Sequence, residues 1–173
     1  MNWNIDPAHS TASFTVRHLA ISNVRGNFSG VEGTIVTDDA GKPVSVSARI
    51  PVGTVNTGQP DRDGHLKSPD FFHAEQHTHI TFEGSSVKDH GGNEYDISGT
   101  LTMHGESRPV TLRTEVTGPA KDPMSGAQKI GAEATVQLNR KDYGLTWNVA
   151  LEAGGVLVSE NVKVHLEIQA AQA

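Results

Sequence analysis

Three observations predict an all-β protein folded as an antiparallel barrel. Apolar and polar residues alternate with a period of two through about eight segments. Turn-forming clusters, mostly of hairpin length, separate successive segments. No stretch beyond about ten residues carries a convincing helical period. A sandwich also satisfies such a pattern, but the simple order of long strands joined by hairpins favours an up-and-down barrel. Closure also removes the edge strands that invite aggregation. The 173 residues read as one domain, 1–173, with neither an internal repeat nor a linker.

The first segment, residues 13–18, sets Phe14, Val16 and His18 on one face. Residues 19–24 lose the alternation and have the length of one helical turn. Residues 27–37 resume it and align Val31, Gly33 and Ile35, and 38–43 have turn composition. Val44, Val46, Ala48, Ile50 and Val52 then share a face opposite Ser45, Ser47 and Arg49. After a long break, Ile80 and Phe82 mark a strand, and the turn at 89–93 leads to Tyr95, Ile97, Gly99, Leu101 and Met103. A turn at 104–109 precedes Val110, Leu112, Thr114 and Val116. The loop at 118–128 precedes Ile130, Ala132, Ala134, Val136 and Leu138. Residues 140–144 break the pattern again, and 145–149 read as a short strand or extended loop. The last strand carries Val162, Val164, Leu166 and Ile168, and its Ala-rich end is expected to fray.

Composition narrows the function. A net charge of -6 argues against a nucleic-acid partner, which requires a concentrated basic face. There is no cysteine, hence no disulfide and no thiol chemistry. No apolar run approaches the ~18 residues of a membrane-spanning helix. The N-terminus lacks the basic and apolar regions of a signal peptide, so the chain as given reads as cytoplasmic, as would a trimmed secreted form.

Aromatics make up only 5% of the chain, so aliphatic and small residues must wall any large interior. Gly33, Ala48, Gly99, Ala132 and Ala134 stand among the inward positions. Two readings follow: small residues leave room for an elongated apolar ligand, or they fit a packed core to the curvature of the barrel.

The long break, Thr57–Phe72, concentrates Asp61, Arg62, Asp63 and His65 and ends on Phe71–Phe72. Pro60 suits the first turn of a short helix, in which Asp61 and His65 would share a face and Arg62 and Leu66 the next. Such a segment caps a barrel mouth, with Leu66, Phe71 and Phe72 as the plug. Alternatively, it is a surface crossover whose charges pair with one another. The polar cluster also has the composition of an acid–base site, but no nucleophile with an orienting partner accompanies it.

These residues, in this order, resemble the YceI-like family of lipocalin-like, polyisoprenoid-binding proteins. The resemblance covers almost the full chain. It starts with Trp3-Asn4-Ile5-Asp6-Pro7-Ala8-His9-Ser10 and continues through Phe14, Val16, His18 and Gly26-Asn27-Phe28. Its most distinctive part is Thr57-Gly58 with Arg62-Asp63-Gly64-His65-Leu66-Lys67-Ser68-Pro69-Asp70-Phe71-Phe72. Ile80-Thr81-Phe82, residues 99–105, and Arg140 with Asp142-Tyr143-Gly144 complete it. The resemblance implies an extended eight-stranded antiparallel lipocalin-like barrel with one or two short helical segments in its crossovers. It implies a long isoprenoid ligand, a polyprenyl lipid or a quinone tail, with no catalytic reaction and no other cofactor. A homodimer follows by the same analogy, and transient membrane contact follows from a ligand too apolar to arrive through water.

The expected cavity wall and mouth comprise Phe14, Val16, His18, Val31, Ile35, Ala48, Ile50, Leu66, Phe71, Phe72, Phe82, Ile97, Leu101, Met103, Leu112, Ala132 and Val136. Asp61, Arg62, Asp63 and His65 are the expected polar cluster of the lid. The chain departs from the family near His73, where an acidic residue is usual, and at His77-Thr78, where Tyr-Pro is usual. On a strand, His77 and His79 would project to one side, a spacing open to a metal, with Glu75 nearby; the alternative is a solvent-facing pair. The expectation is a carrier without a metal. An enzyme at the Asp61/Arg62/Asp63/His65 cluster and a metal module at His77/His79 are the rivals.

Overall fold

Eight staves close into an antiparallel barrel, and two of the eight are each split in the middle. The computed structural model of the chain describes residues 1–151 and 155–173. The strands are β1 (Asn2–Ile5), β2 (Thr11–His18), β3 (Ser22–Phe28), β4 (Glu32–Thr37), β5 (Pro43–Pro51), β6 (His79–Gly91), β7 (Glu94–Met103), β8 (Glu106–Lys121), β9 (Gln128–Asn139) and β10 (Val158–Gln172). One helix, α1 (Pro60–Lys67), lies in the β5–β6 crossover. The ring runs β1-β4-β5-β6-β7-β8-β9-β10 and back to β1. β10 pairs with β2 along Val158–Glu167 and with β1 at its C-terminal end, so β1 and β2 form one stave interrupted by a 3₁₀ turn at Pro7–His9. β4 pairs with β1, and β3 pairs with β2, so these two form the next split stave.

The pairing registers set the two ends of the barrel. One end, the floor, carries both termini and the turns at 38–42, 91–93 and 122–127. The other, the mouth, carries the β2–β3 and β7–β8 turns and two long connections, residues 52–78 and 140–157. The floor is held by backbone. The Ala-rich C-terminus does not fray: Ala170 is fully buried and pairs with Ile5, closing the ring. Trp3, buried nearby, donates its indole N–H to the Thr37 hydroxyl at 2.9 Å.

Local departures from the sequence pattern have local causes. Residues 19–21 turn directly into β3 without a helical turn. The segment expected as one strand over 27–37 breaks between Phe28 and Glu32, where Gly30 adopts φ 71°. Val44 points outward and Val52 leaves the strand for a 3₁₀ turn. β8 continues to Lys121, which shortens the expected 118–128 loop. Residues 145–149 form an extended connection rather than a strand. Asn2–Ile5, too short to show a period, and most of Ser22–Phe28, where the alternation lapses, are strands the pattern did not reveal.

A candidate ligand cavity and its lid

Alternation points one side chain in two toward the barrel axis, and these enclose a cavity of about 390 Å³. Its wall follows β5 from Pro43 through Val46, Ala48 and Ile50, a run of roughly 20 Å allowing for strand tilt. All seventeen residues expected at the wall and mouth line it. Its volume falls within the ~300–1,000 Å³ of small-molecule sites. Ala48, Ala132 and Ala134 contribute room, whereas Gly33 and Gly99 do something else. A Cβ at Gly33 would collide with the Ser47 carbonyl, and one at Gly99 with that of Glu83. These two glycines let neighbouring backbones approach closely, as curvature requires.

The seam between the split stave and β5 is where the lid sits. β4 pairs with β5 but β3 does not. A single bridge, Asn27 to Asn56 with both N–H···O distances 2.9 Å, ties β3 to the crossover. α1 then spans the opening. Gln59 caps it by accepting from the Asp61 N–H at 3.0 Å, and Pro60 occupies the first turn as expected.

The polar cluster is not a network of mutually paired charges. Asp63 accepts from the Thr57 hydroxyl at 2.6 Å and from its N–H at 2.8 Å. Arg62 donates to the Thr57 hydroxyl at 2.8 Å and to its carbonyl at 2.9 Å. The Thr57 hydroxyl, its N–H and the adjacent Arg62 hold the Asp63 carboxyl below its usual range. His65 meets Asp70 at 2.9 Å, not Asp61, because the chain beyond α1 folds back onto its last turn. Asp61 stays exposed on the outer side of the helix. Of the four, Arg62 and His65 reach the cavity rim and Asp61 and Asp63 do not. The His65–Asp70 pair is a base with an orienting carboxylate, but no hydroxyl bonds to the imidazole among the described residues.

Aromatic contacts complete the lid. Phe72 meets Phe28 edge-on at 5.6 Å, and Leu66 and Phe72 pack against the core. The His65 ring lies edge-on to Phe71 at 5.1 Å and to Trp147 at 4.8 Å. Trp147 belongs to the second long connection, and sequence reasoning did not include it; being one of only two tryptophans was its signal. Arg140 was also missed as a site residue. It is 4% exposed and donates to the carbonyls of Leu145, Trp147 and Ser159 at 2.6–2.9 Å, with a longer contact to Val158. Burial lowers its pKa, opposed by nearby Glu160. A buried guanidinium facing carbonyls, with no carboxylate within ion-pair distance among the described residues, pins the connection that carries Trp147 to the start of β10.

The histidines assemble differently from the sequence expectation. His77 lies before β6, not in it, so His77 and His79 do not share a strand face. His79 instead meets the Thr78 hydroxyl at 3.0 Å. His77 stacks edge-on against His104 at 4.9 Å, with His73 beyond it at 6.1 Å. His104 donates from Nδ1 to the Tyr143 carbonyl at 2.9 Å. Burial, then the neighbouring His104 and His73, lower the His77 pKa. Among the described residues, the group with metal-ligand spacing is Glu133, His165 and Glu167, on the outer face of β9 and β10.

Comparison with known proteins agrees with this architecture. Residues 3–170 match the YceI-like domain. The UPF0312 protein SA2479 of Staphylococcus aureus (strain N315) is 38% identical over 166 residues, 94% of this chain and 92% of that protein. The crystal structure of the Campylobacter jejuni YCEI protein superposes with a TM-score of 0.76 at 30% identity, covering 91% of this chain and 90% of that one. Burkholderia cenocepacia BcnA shares the fold, with a TM-score of 0.80 at 20% identity and coverage of 95% and 98%. A polyisoprenoid binding domain from Saccharophagus degradans, implicated in plant cell wall breakdown, shares it with a TM-score of 0.71 at 16% identity, covering 99% of this chain and 98% of that one. The chain belongs to the YceI-like family.

Proposed function

We propose that this YceI-like barrel binds and carries a long-chain isoprenoid, a polyprenyl lipid or quinone tail, without chemically changing it. One observation carries the reading: an elongated cavity walled by alternating aliphatic side chains, with its basic side chains Arg17, His18, Arg62, His65 and Arg140 near the mouth. Such a wall substitutes for acyl chains around an apolar tail, and the arginines and imidazoles suit a polar head at the opening. The polyisoprenoid binding domain of Saccharophagus degradans shares the fold, which supports the same ligand class here.

Magnitudes constrain the mechanism. Moving a forty-carbon chain out of water at ~0.8 kcal/mol per methylene would nominally gain about 30 kcal/mol. Non-covalent binding saturates near ~18–21 kcal/mol. The ligand therefore does not travel through water as a free species. For the part of the tail that a cavity of about 390 Å³ takes up, exchange between membrane and barrel is nearly neutral, because both surroundings are apolar, and lid opening then sets the rate.

The lid cluster serves this reading better than catalysis. Asp63 and Arg62 are spent on Thr57, and His65 on Asp70 and two aromatic rings. The test is organic extraction of the purified protein followed by mass spectrometry. A stoichiometric isoprenoid is expected; a protein that stays empty after incubation with quinone-loaded vesicles would refute the proposal. Turnover of an isoprenoid that disappears in Asp63→Asn while the fold persists would favour an enzyme instead.

A further inference from the structure

Two segments at the mouth are apolar and exposed, and they touch. In the β2–β3 turn, Ile21 is 76% exposed and Leu19 38%; in the second long connection, Val149 and Val156 are 46% and 43% exposed. The Leu19 N–H donates to the Leu157 carbonyl at 2.8 Å, and the Leu157 N–H to the Val149 carbonyl at 2.9 Å. The four side chains therefore belong to one tip. The tip is continuous with the cavity: Val16 and His18 below the turn, and Leu157 and Val158 beside it, line the wall.

The β2–β3 side of the tip is basic, while the second long connection includes Glu152. From Arg17 to Val31 the chain has Arg17, His18 and Arg25 and no acidic residue, in a protein of net charge -6. Among the described residues, the Arg17 guanidinium bonds to the Asn23 side chain and the Ala20 carbonyl. Among the described residues, Arg17, Arg25 and Arg62 face no carboxylate within ion-pair distance, whereas Arg49 and Arg113 do. An apolar tip whose β2–β3 side carries arginines with no ion-pair partner among the described residues has the form of an interfacial anchor: the side chains enter the acyl boundary and the arginines meet lipid phosphates.

We infer that this tip docks the barrel mouth onto an anionic lipid bilayer. The inference rests on the carrier reading for its purpose, since cargo that cannot cross water must transfer where the mouth touches a membrane. Docking itself is separable from cargo binding. Flotation with vesicles of phosphatidylglycerol and phosphatidylcholine, against phosphatidylcholine alone, tests it. Binding to the anionic vesicles that weakens with salt is expected. Ile21→Asp combined with Val149→Asp should weaken it about tenfold or more, and Arg25→Gln about fivefold. Val44→Asp with Met124→Asp, exposed apolar positions at the floor, should leave binding unchanged. None of these five residues lines the cavity, so all variants should hold an isoprenoid quinone delivered from detergent as the parent does. A parent that retains detergent-delivered quinone but ignores both vesicle types overturns the docking inference alone. A parent that docks through the tip yet never retains quinone upholds docking and overturns the carrier reading. Binding equally sensitive to the floor pair and the tip pair overturns the assignment of the surface.

Discussion

The two ends of this barrel are closed by different physics. At the floor, the C-terminal residues of β10 pair with β1, short turns join the strands, and Trp3 and Ala170 are buried beneath them. At the mouth, β3 does not pair with β5, and the gap is covered by α1 and two long connections held by side chains and isolated backbone bonds instead of a continuous ladder. Backbone pairing is cooperative and opens only with the barrel. Contacts among Leu66, His65, Phe71 and Trp147 can open locally, at the low-stability end of the molecule. A carrier needs that asymmetry: one end to hold the cylinder and one to pass the ligand.

The sharpest way to break the comparison is at the floor. Trp3→Ala removes a fully packed indole and its bond to Thr37, and should cost about 3–5 kcal/mol in denaturant unfolding. At the mouth, Arg140→Ala strands the carbonyls of Leu145, Trp147 and Ser159, and should cost about 2–3 kcal/mol. Its hydrogen-exchange signature should concentrate in residues 145–151 and 155–158 instead of spreading over the barrel.

Acidification should loosen the mouth before the floor. The His77 pKa is lowered by burial and by the neighbouring imidazoles, so the unfolded or open lid binds the extra proton. Its contribution is therefore present above the ordinary histidine value of ~6.5 and lost as pH falls. Protection factors over residues 68–78, taken relative to intrinsic exchange at each pH, should fall below about pH 6.5, and His77→Gln should flatten that dependence. An unchanged pH profile in His77→Gln would remove the imidazole stack from the account. The smallest effect is on the wall between the ends. Glu133 faces Glu115 on one side and Glu167 on the other, like charges directly opposed. Glu133→Gln should stabilise by a few tenths of a kcal/mol, an effect that shrinks with salt.

How much of this was legible before the structure follows from the range of the forces involved. Inward positions such as Phe82, Leu101 and Val136 declared themselves through a period of two, which strand geometry imposes locally. A short helix in the crossover was legible because Pro60 suits a first turn, whereas its Gln59 cap and its end at Lys67 were not. The partners of its charges were not, because Thr57 and Asp70 are chosen by how the crossover folds back. Gly33 and Gly99 were open to two readings, cavity room or barrel curvature, and their neighbours Ser47 and Glu83 show that they serve close strand approach. His104 and His77 are far apart in the chain and meet only because the β7–β8 turn and the crossover share the mouth. The family resemblance located Arg140 as a motif residue, but its role as a clamp on the Trp147 connection needed the carbonyl positions.

The central claim is that ligand passes through the mouth while the floor stays shut. It is tested most directly by the rate at which an isoprenoid quinone leaves the loaded protein for acceptor vesicles. Leu66→Asp, which puts a carboxylate into the plug, should speed release about tenfold or more. Trp3→Phe, which disturbs only the floor, should leave the rate as it was. Equal acceleration by both, or none by Leu66→Asp, would contradict the account.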